Sequence, residues 1–421
     1  MLALIDCNNF FVSCERLFRP DLLKKPVAVL SSNDGCAISR SDEVKALGIP
    51  MAGPMHNYRV VVEKYGIVSC SANFELYGDI SRRLRTLLTT VTPALEIYSI
   101  DEAFLDLAKL RIQNYEEWGR VIRDRIAQEI GVPVSVGIAP TKTLAKLANH
   151  KAKELPELSG VLHLTNANTT KYLKSTPVRA VWGVGRKLAP KLLVEGVVTA
   201  YDLAHMRPKH AQQLLGIHGR IMASELLGTR CLQLQQTHKP QKMIARGRQF
   251  GADTNEWDVV ESAVASMTAR ACLQLRREGQ LTTKAFAVMR TNWRKPGYTT
   301  TVAAVDLREP TADTGVVCQQ LIASLAQKFN TRLSYHKADV FLANFVQPNS
   351  IQLDLFGQIK PSAMATQARR MHAIDSLNAT HQPQSVQYAA EKLSDAWTPR
   401  KNHASPRYTS QWSDIPEAFL S

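Results

Sequence analysis

The stretch Tyr98–Leu107, YSIDEAFLDL, decides the fold prediction, because an apolar strand is interrupted there by two adjacent carboxylates and then continues. Aromatic and β-branched residues on both sides of Asp101 and Glu102 are typical of buried strands. A second short apolar strand, Leu2–Ile5, ends directly at Asp6. Since neighbouring strand ends can bring these acids together, the sequence predicts a cluster of carboxylates on one sheet.

Carboxylates in this arrangement suit divalent cations. Magnesium prefers oxygen ligands in octahedral geometry, and two-metal centres hold their cations about 3.5–4 Å apart between bridging carboxylates. Such a centre activates a 3′-hydroxyl and neutralises a triphosphate. The alternative is that an Asp after a strand only closes a turn, which is the usual role of one isolated residue.

Further strands and helices surround these acids. A third strand rich in β-branched residues is predicted at Val132–Ala139, and apolar residues repeat at helical spacing over Ile80–Val91 and Trp118–Ile130. The strand next to the acids is expected to run over Leu95–Ile100. Strands interleaved with helices predict a split βαβ sheet with helices packed on one face.

Length and composition bound the class of protein. A chain of 421 residues is expected to form two to four domains of about 100–200 residues each. Hydrophobic residues make up 45% and charged residues 21%, which excludes collagenous, coiled-coil and wholly disordered chains. No apolar run approaches the roughly 18–20 residues that span a membrane, and the start of the chain does not resemble a signal peptide, so a cytoplasmic protein without a membrane partner is expected. The seven scattered cysteines include no C-x-x-C pair and are predicted to be reduced, structural thiols.

The positive charge is concentrated in one segment. The chain carries 52 basic and 37 acidic residues, a net charge of +15. Residues 166–241 hold 11 Lys and Arg against 3 Asp and Glu, whereas residues 1–165 hold 20 against 19. This uneven distribution favours a dedicated phosphate-binding face over the alternative of a generally basic surface.

After the first predicted sheet, the sequence pattern indicates a helical segment, then a mixed α+β segment, and then a polar tail. A helical segment contains a Gly-x-Gly turn within Val181–Val197. The next segment is predicted to be α+β, with one amphipathic helix at Val316–Phe329 and strands at Lys284–Arg290, Thr299–Val305 and Ala338–Phe345. After Val346 the composition turns polar, which favours a flexible tail with short recognition segments over another domain.

Four ordered motifs resemble those of the Y-family translesion DNA polymerases: DCNNFFVSCE (Asp6–Glu15), YSIDEAFLDL (Tyr98–Leu107), VGIAPTKTLAKLAN (Val136–Asn149) and VWGVGRKLAPKL (Val181–Leu192). Residues Phe18–Ile49 and the SPRYT segment Ser405–Thr409 are similar to the bacterial UmuC group, the catalytic subunit of DNA polymerase V and its plasmid-borne relatives. The resemblance implies an α/β and α+β multidomain, right-handed polymerase. Its expected parts are a palm (1–14 and 79–165), fingers (15–78), a thumb with a helix-hairpin-helix (166–241), a little finger (242–345) and a flexible C-terminal tail (346–421).

The resemblance also implies roles for residues near the acids. Asp6, Asp101 and Glu102 would be catalytic and would bind two Mg²⁺ ions, with the Cys7 carbonyl as a possible further ligand. Phe10 and Phe11 would line the sugar pocket, and Phe11 would exclude a ribose 2′-hydroxyl by its bulk. The alternative for both aromatic residues is ordinary core packing.

Three residues would contact the incoming triphosphate. Ser39 and Lys45 would do so from the fingers and Lys153 from the palm, since a flexible ammonium suits a phosphate. The family often has Tyr at the position of Asp42 and Arg at that of Lys45. Asp42 is therefore left out of the site, and a solvated helix charge is the alternative for Lys45.

Other segments would hold DNA or a protein partner. The thumb hairpin would bind a DNA phosphate, although a lone Gly-x-Gly more often only links two helices. An edge strand of the little finger would lie along the template backbone, and QLDLF in the tail would insert into the sliding clamp. The residues concerned are Gly183, Gly185, Arg186 and Lys187 in the hairpin, Arg246 and Arg248 in the strand, and Gln352, Leu353, Leu355 and Phe356 in the tail.

The expected function is error-prone, template-directed DNA synthesis past lesions. From the resemblance alone, the substrates would be damaged primer-template DNA and dNTPs, the partners a UmuD′-like dimer, RecA and the sliding clamp, and the setting SOS mutagenesis. One alternative is a non-catalytic DNA- and clamp-binding factor that slows replication, which would not need Asp6, Asp101, Glu102 and Phe11 together. Another is a different palm enzyme such as a nucleotide cyclase, which would have no use for the thumb hairpin.

Overall fold

The computed structural model describes residues 1–235, 240–350, 361–381 and 385–417. The chain divides into two compact units. The first comprises residues 1–31, 35–238 and 403–421, and the second comprises residues 32–34 and 239–402. The chain therefore enters the second unit after residue 238 and returns to the first at His403.

The first unit combines two sheets with a set of helices. Its described strands are β1 (Leu2–Cys7), β2 (Val27–Leu30), β3 (Ala37–Arg40), β4 (Val68–Ser71), β5 (Leu95–Ile97), β6 (Glu102–Asp106), β7 (Val134–Ala139) and β8 (Val161–His163). Its described α-helices are α1 (Phe10–Phe18), α2 (Asp42–Ala46), α3 (Arg59–Tyr65), α4 (Phe74–Val91), α5 (Tyr115–Glu129), α6 (Lys142–Glu154), α7 (Thr169–Lys174), α8 (Ala189–Val194), α9 (Ala200–His205), α10 (Pro208–Leu215) and α11 (Ile217–Leu226).

The larger sheet has the order β5-β6-β1-β7-β8, with β7 and β8 parallel and the other pairs antiparallel. Successive residues of β1 face opposite sides, so Ile5 packs in the core that holds Leu84 of α4, whereas Leu4 packs with Leu144 of α6. Helices therefore cover both faces, and the prediction of helices on one face only was wrong. The physical reason is visible in β7, where all six residues are buried, as in strands covered on both sides.

The strand before the acids is shorter than expected. The predicted strand Leu95–Ile100 ends at Ile97, and the chain turns before β6 begins at Glu102. Ser99 stabilises this turn, because its hydroxyl donates to a carboxylate oxygen of Asp101 at 2.6 Å. The turn places Asp101 immediately before β6.

A three-stranded sheet of order β3-β2-β4 lies between α1 and α4 in sequence. Its small core contains Leu30, Val44 and Ile49, which are almost completely buried. The hydroxyl of Ser41, the residue before α2, accepts from the Val44 amide and so caps that helix. Two of the predicted nucleotide contacts lie here, Ser39 in β3 and Lys45 in the adjoining helix α2.

A buried glutamate ties the small helices α7–α11 to the larger sheet. Glu225 of α11 is fully buried and accepts from the amide and hydroxyl of Thr143 at 2.9 Å each. The amides of Cys231 and Leu232 also donate to this carboxylate. Since a negative charge is favourable at a helix N-terminus, Glu225 stabilises the start of α6 and fixes the small helices beside it.

The second unit is built on an antiparallel sheet of order β11-β10-β12-β9. Its described elements are β9 (Met243–Thr254), α12 (Trp257–Arg277), β10 (Leu281–Thr291), β11 (Thr300–Thr311), α13 (Thr314–Ala326), β12 (Tyr335–Val346) and α14 (Pro361–Thr380). The sequence pattern predicted α13 but missed the 21-residue α12. Twelve residues of α12 are buried, around much of its circumference, so it lacks the clear polar stripe that marks an amphipathic helix.

The segment after Val346 differs from the expected flexible tail. Helix α14 packs on the second unit, where Arg276 binds Asp375 with two bonds of 2.7 Å. Trp397 is 6% exposed in the core of the same unit, and Tyr408 is buried in that of the first. The few apolar anchors are widely spaced among polar residues, which is why the composition did not reveal them.

Within the described residues, no helix is both long and apolar enough to span a membrane.

Candidate active site

Two of the three predicted acids lie side by side on adjacent strands of the larger sheet. Asp6 of β1 and Glu102 of β6 are direct partners in the antiparallel register. Burial, together with the neighbouring Glu102, raises the pKa of Asp6 to about 7, although Lys153 opposes the shift. The pKa of Glu102 is lowered, because hydrogen bonding with Asp6 and Lys146 outweighs the cost of its burial. Two carboxyl groups thus lie next to each other, and Asp6 is the weaker acid of the two.

The third acid joins this pair from the preceding turn. The amide of Cys7 donates to the carbonyl of Asp101 at 3.0 Å, which fixes Asp101 beside the end of β1. Its side chain accepts from Ser99, as described above, and lines the same cavity as Asp6. Among the described residues, no three His, Cys, Asp or Glu side chains converge as closely as a formed metal site requires.

A stripe of α6 supplies the opposite charge. Lys146 donates to both oxygens of Glu102 at 2.7 Å, and Lys153 forms an ion pair with Asp6. The two lysines are seven residues apart, which is two helical turns, and so they lie on one face of the helix. The family motifs single out Lys153 but not Lys146, although Lys146 lies on the same face of α6.

The close approach of α6 to the sheet sets this geometry. Gly137 of β7 leaves room for it, since a Cβ there would lie 2.3 Å from the carbonyl oxygen of Ala145 and the amide of Asn149. The Asn149 side chain donates to the Ser135 carbonyl at 2.8 Å and anchors the helix on the strand. A larger residue at Gly137 would push both lysines away from the carboxylates.

A cavity of about 280 Å³ opens beside Asp6. All five of the predicted nucleotide contacts line it: Phe10, Phe11, Ser39, Lys45 and Lys153. Asp101 and Cys7 line it as well. The structure therefore brings together, around one cavity, residues that the sequence places in four separate segments.

The two phenylalanines differ in exposure. Phe10 is 3% exposed and belongs to the core as well as to the cavity wall. Phe11 is partly exposed, and its ring stacks on Tyr77 with a centroid distance of 4.5 Å and an interplanar angle of 15°. The rings of Phe74 and Phe11 pack edge to face, with their centroids 5.8 Å apart. Phe11 is consequently held in one orientation at the cavity wall.

The polar wall of the cavity holds one residue that the motif comparison missed. Ser39 accepts weakly from the Val12 amide at 3.4 Å, and Lys45 pairs with Asp42 at 2.8 Å. Arg40 also lines the cavity, and within the described chain its buried Nε has no hydrogen-bond partner. A guanidinium in the wall of a cavity suits an anionic oxygen. The sequence gives no sign of this position, because a single Arg in a short strand is common and belongs to no repeating pattern.

The predicted hairpin of the thumb lies on the surface. Gly183 has a φ of +94°, which a side chain would not easily adopt, and a Cβ there would lie 2.9 Å from the sulfur of Met222. Arg186 and Lys187 are both exposed just before α8. Gly185 has open space beside it, which leaves its backbone accessible. The role of these residues in binding DNA stays a prediction.

The two arginines of β9 share one face of an edge strand. Arg246 lies opposite Val340 of β12, and Arg248 lies opposite Ala338. Because the two arginines are two residues apart on one strand, they are on the same face of the sheet. Arg246 is exposed and bonds to Gln274 of α12, whereas Arg248 is half-buried and burial lowers its pKa. Their contact with a template stays a prediction. The QLDLF peptide, with Gln352, Leu353, Leu355 and Phe356, lies outside the described residues.

Family models cover most of the chain. Residues 5–150 match the impB/mucB/samB family, and residues 241–355 match the C-terminal domain of that family. Residues 368–418 match a domain of unknown function, DUF4113. This last match covers much of the segment that composition had suggested to be a tail without a domain.

Full-length relatives and solved structures agree with these matches. The chain is 37% identical to Protein UmuC of Salmonella typhimurium strain LT2, with 99% of both chains covered, and 34% identical to Protein SamB of Salmonella typhimurium over all of both chains. A Y-family DNA polymerase chimera of Dbh and Dpo4 is similar in structure, with a TM-score of 0.64, 18% identity, and coverage of 82% of this chain and 99% of that one. The fold is therefore that of the Y-family polymerases. The chain belongs to the impB/mucB/samB family and is UmuC-like.

Proposed function

We propose that this chain is an error-prone DNA-directed DNA polymerase that copies damaged templates by two-metal nucleotidyl transfer. The observation that carries the proposal is the pairing of Asp6 with Glu102 beside a cavity lined by Asp101, Phe11 and Lys153. A relative from Bacillus subtilis strain 168 that is 28% identical over 71% of this chain is named DNA polymerase IV 1.

The donor groups fit divalent magnesium. Two carboxylates in register and a third on the adjoining turn would supply oxygen ligands, with the Cys7 carbonyl as a further one, and oxygen ligands are what Mg²⁺ prefers. Burial and the neighbouring Glu102 raise the pKa of Asp6 despite the ion pair with Lys153, and a bound cation would favour its charged form. Two bound Mg²⁺ ions would activate the primer 3′-hydroxyl and neutralise the triphosphate.

The remaining residues of the cavity would orient the nucleotide. Lys153 would exchange its ion pair with Asp6 for the triphosphate, and Lys45 and Ser39 would contact the same phosphates from the fingers. Arg40 lines the same cavity and would add positive charge beside the phosphates. Phe10 and Phe11 would bound the sugar, so that the bulk of Phe11 excludes a ribose 2′-hydroxyl.

DNA and protein partners would bind elsewhere on the chain. The hairpin with Gly183, Gly185, Arg186 and Lys187 would hold a phosphate of the duplex without reading its sequence, as a lesion-copying enzyme requires. Arg246 and Arg248 would lie along the template. We further propose binding of QLDLF to the sliding clamp, association with a UmuD′-like dimer and RecA, and action in the cytoplasm during SOS mutagenesis.

Primer extension tests the catalytic assignment. Asp6→Asn and Asp101→Asn should each abolish extension of a primed template while DNA affinity stays within about threefold, because metal ligands are lost and phosphate contacts are not. Asp124→Asn is the matched control, since Asp124 is an exposed residue of α5 that pairs with Arg123. The measurements are extension on a gel and DNA binding by fluorescence anisotropy.

Near-normal extension by either active-site variant would disprove the assignment. Binding of DNA and clamp by a wild-type chain that never extends a primer would instead support the non-catalytic alternative.

A further inference from the structure

The inference concerns a short segment, residues 403–410, which we call the strap. It belongs to the first unit although it follows β4 by more than 330 positions. The Ser71 amide donates to the His403 carbonyl at 2.8 Å, and the His403 amide donates to the Ser71 hydroxyl at 3.0 Å. A parallel bridge between Ser71 and Ala404 extends this pairing. The strap is thus fixed by backbone bonds to the end of β4.

Side chains fix the strap at two further points. Asn73, which caps α4, donates to the Ser405 hydroxyl at 3.0 Å and to the Pro406 carbonyl at 3.2 Å. The ring of Tyr408 stacks on Phe18 at the end of α1, with centroids 4.7 Å apart and planes 4° from parallel. The strap therefore spans the start of α4 and the end of α1.

Between these two helices lies a buried carboxylate. Glu15 of α1 is 1% exposed, and one oxygen accepts from the Tyr77 hydroxyl at 2.7 Å and from the Ser405 hydroxyl at 3.2 Å. Burial raises the pKa of Glu15, and both hydroxyl donors oppose that shift. A buried carboxylate needs such donors, so the strap completes the environment of Glu15.

The same tyrosine supports the predicted sugar-selecting ring. Tyr77 is fully buried, its hydroxyl is held by Glu15, and its ring stacks on Phe11. Phe11 and Glu15 are four residues apart on α1 and so lie on one side of that helix. A continuous set of contacts thus runs from Ser405 through Glu15 and Tyr77 to Phe11.

We infer that the strap is a positioning element of the nucleotide site: Ser405, acting through Glu15 and Tyr77, holds Phe11 in the orientation that discriminates deoxyribose from ribose. This inference rests on the proposed role of Phe11. Neither Ser405 nor Glu15 lines the nucleotide cavity, so both act through other residues. A shift of the Tyr77 ring would let Phe11 rotate and widen the space at the sugar.

The test compares variants of the full chain for sugar selection. Ser405→Ala and Tyr77→Phe should each lower the preference for dGTP over GTP opposite template C by about tenfold, since a hydrogen bond to a charged group is lost while the aromatic stack is kept. The loss should come from a lower KM for GTP, with kcat for dGTP nearly unchanged. Ser405→Thr keeps the hydroxyl and should restore the preference.

Two further measurements keep the result interpretable. Ser410→Ala is the matched control, because Ser410 also lies in the strap but contacts Glu75 on the surface instead of Glu15. Binding of dGTP and GTP to the complex with a dideoxy-terminated primer should show the same change in preference, so that the readout does not depend on turnover. Ser405 is only partly buried, and its substitution should leave the melting temperature within about 3 °C.

Each outcome bears on a different claim. If Ser405→Ala and Ser410→Ala show the same preference within about twofold, the strap has no part in sugar selection and the inference is overturned. If Phe11→Ala itself leaves the preference unchanged, the proposed sugar pocket fails first. Loss of preference with Phe11→Ala alone would keep the pocket and remove the strap from it.

Discussion

At the scale of single residues, Phe11 is constrained from two sides by Tyr77 and Phe74. Replacing it with Ala should raise ribonucleotide insertion relative to deoxynucleotide insertion by at least about tenfold, because the bulk proposed to meet the 2′-hydroxyl is removed. Single-nucleotide insertion kinetics measure this ratio. Phe329→Leu, at a partly buried ring that packs against the core of the second unit, is the control for nonspecific loss of an aromatic ring. An unchanged ratio would mean that Phe11 is ordinary core.

The cysteines give a second prediction at this scale, with a definite pH dependence. Burial raises the pKa of Cys70, Cys272 and Cys318 to about 12, so their reactive thiolates are scarce below that pH in the folded chain. Cys231 is exposed. Iodoacetamide at about pH 8 should therefore label Cys231 within minutes, and Cys231→Ser should remove this fast phase.

Raising the pH to about 9.5 should leave Cys272 and Cys318 unlabelled in the folded protein, because that pH is still well below their pKa. Unfolding in urea should expose all seven thiols to the reagent. Peptide mapping by mass spectrometry identifies the labelled sites. Fast labelling of Cys272 in the native chain would contradict its placement at the centre of the second unit.

At the scale of elements, the hairpin before α8 presents two neighbouring cations to solvent. Substituting Arg186 and Lys187 together with Ala should weaken binding to all DNA sequences alike and reduce the slope of log affinity against log salt by about 1–2. The paired control is Arg120→Ala with Arg125→Ala, two exposed arginines of α5 that form ion pairs with Glu116 and Glu129. Anisotropy titrations at several salt concentrations provide the slopes, and equal slopes for both double variants would remove the hairpin from the DNA-binding surface.

Elements also show what the sequence could and could not predict. That Asp6 and Glu102 lie on neighbouring strands was predictable, because an apolar run beside an acid is a local pattern, although Asp6 lies inside β1 and Glu102 begins β6. The bond between Lys146 and Glu102 was not, since it joins residues 44 positions apart and depends on how α6 is rotated against the sheet. The burial of Glu225 could not be predicted either. Its four hydrogen-bond donors come from two distant parts of the chain, Thr143 and the segment Cys231–Leu232.

At the scale of the whole molecule, the clamp assignment separates binding from chemistry. Substituting Leu355 and Phe356 with Ala should leave unassisted primer extension intact and abolish stimulation by the sliding clamp, since apolar anchors of this kind contribute about 2 kcal/mol or more each to binding. Gln358→Ala, a polar neighbour outside QLDLF, is the control. Retained clamp stimulation together with a lower melting temperature would show that the two side chains pack on the protein instead.

The fold of the first unit has a consequence for biosynthesis. The last segment of this unit, residues 403–421, begins with the strap, and residues 239–402 are all synthesised before it. While a ribosome is still making those residues, β4 and the start of α4 already exist, but the hydroxyl of Ser405 that completes the surroundings of Glu15 does not. A nascent chain would therefore hold Tyr77 and Phe11 less firmly than the released protein. For an enzyme that introduces mutations, this order of assembly would delay mature nucleotide selection until translation has passed the strap.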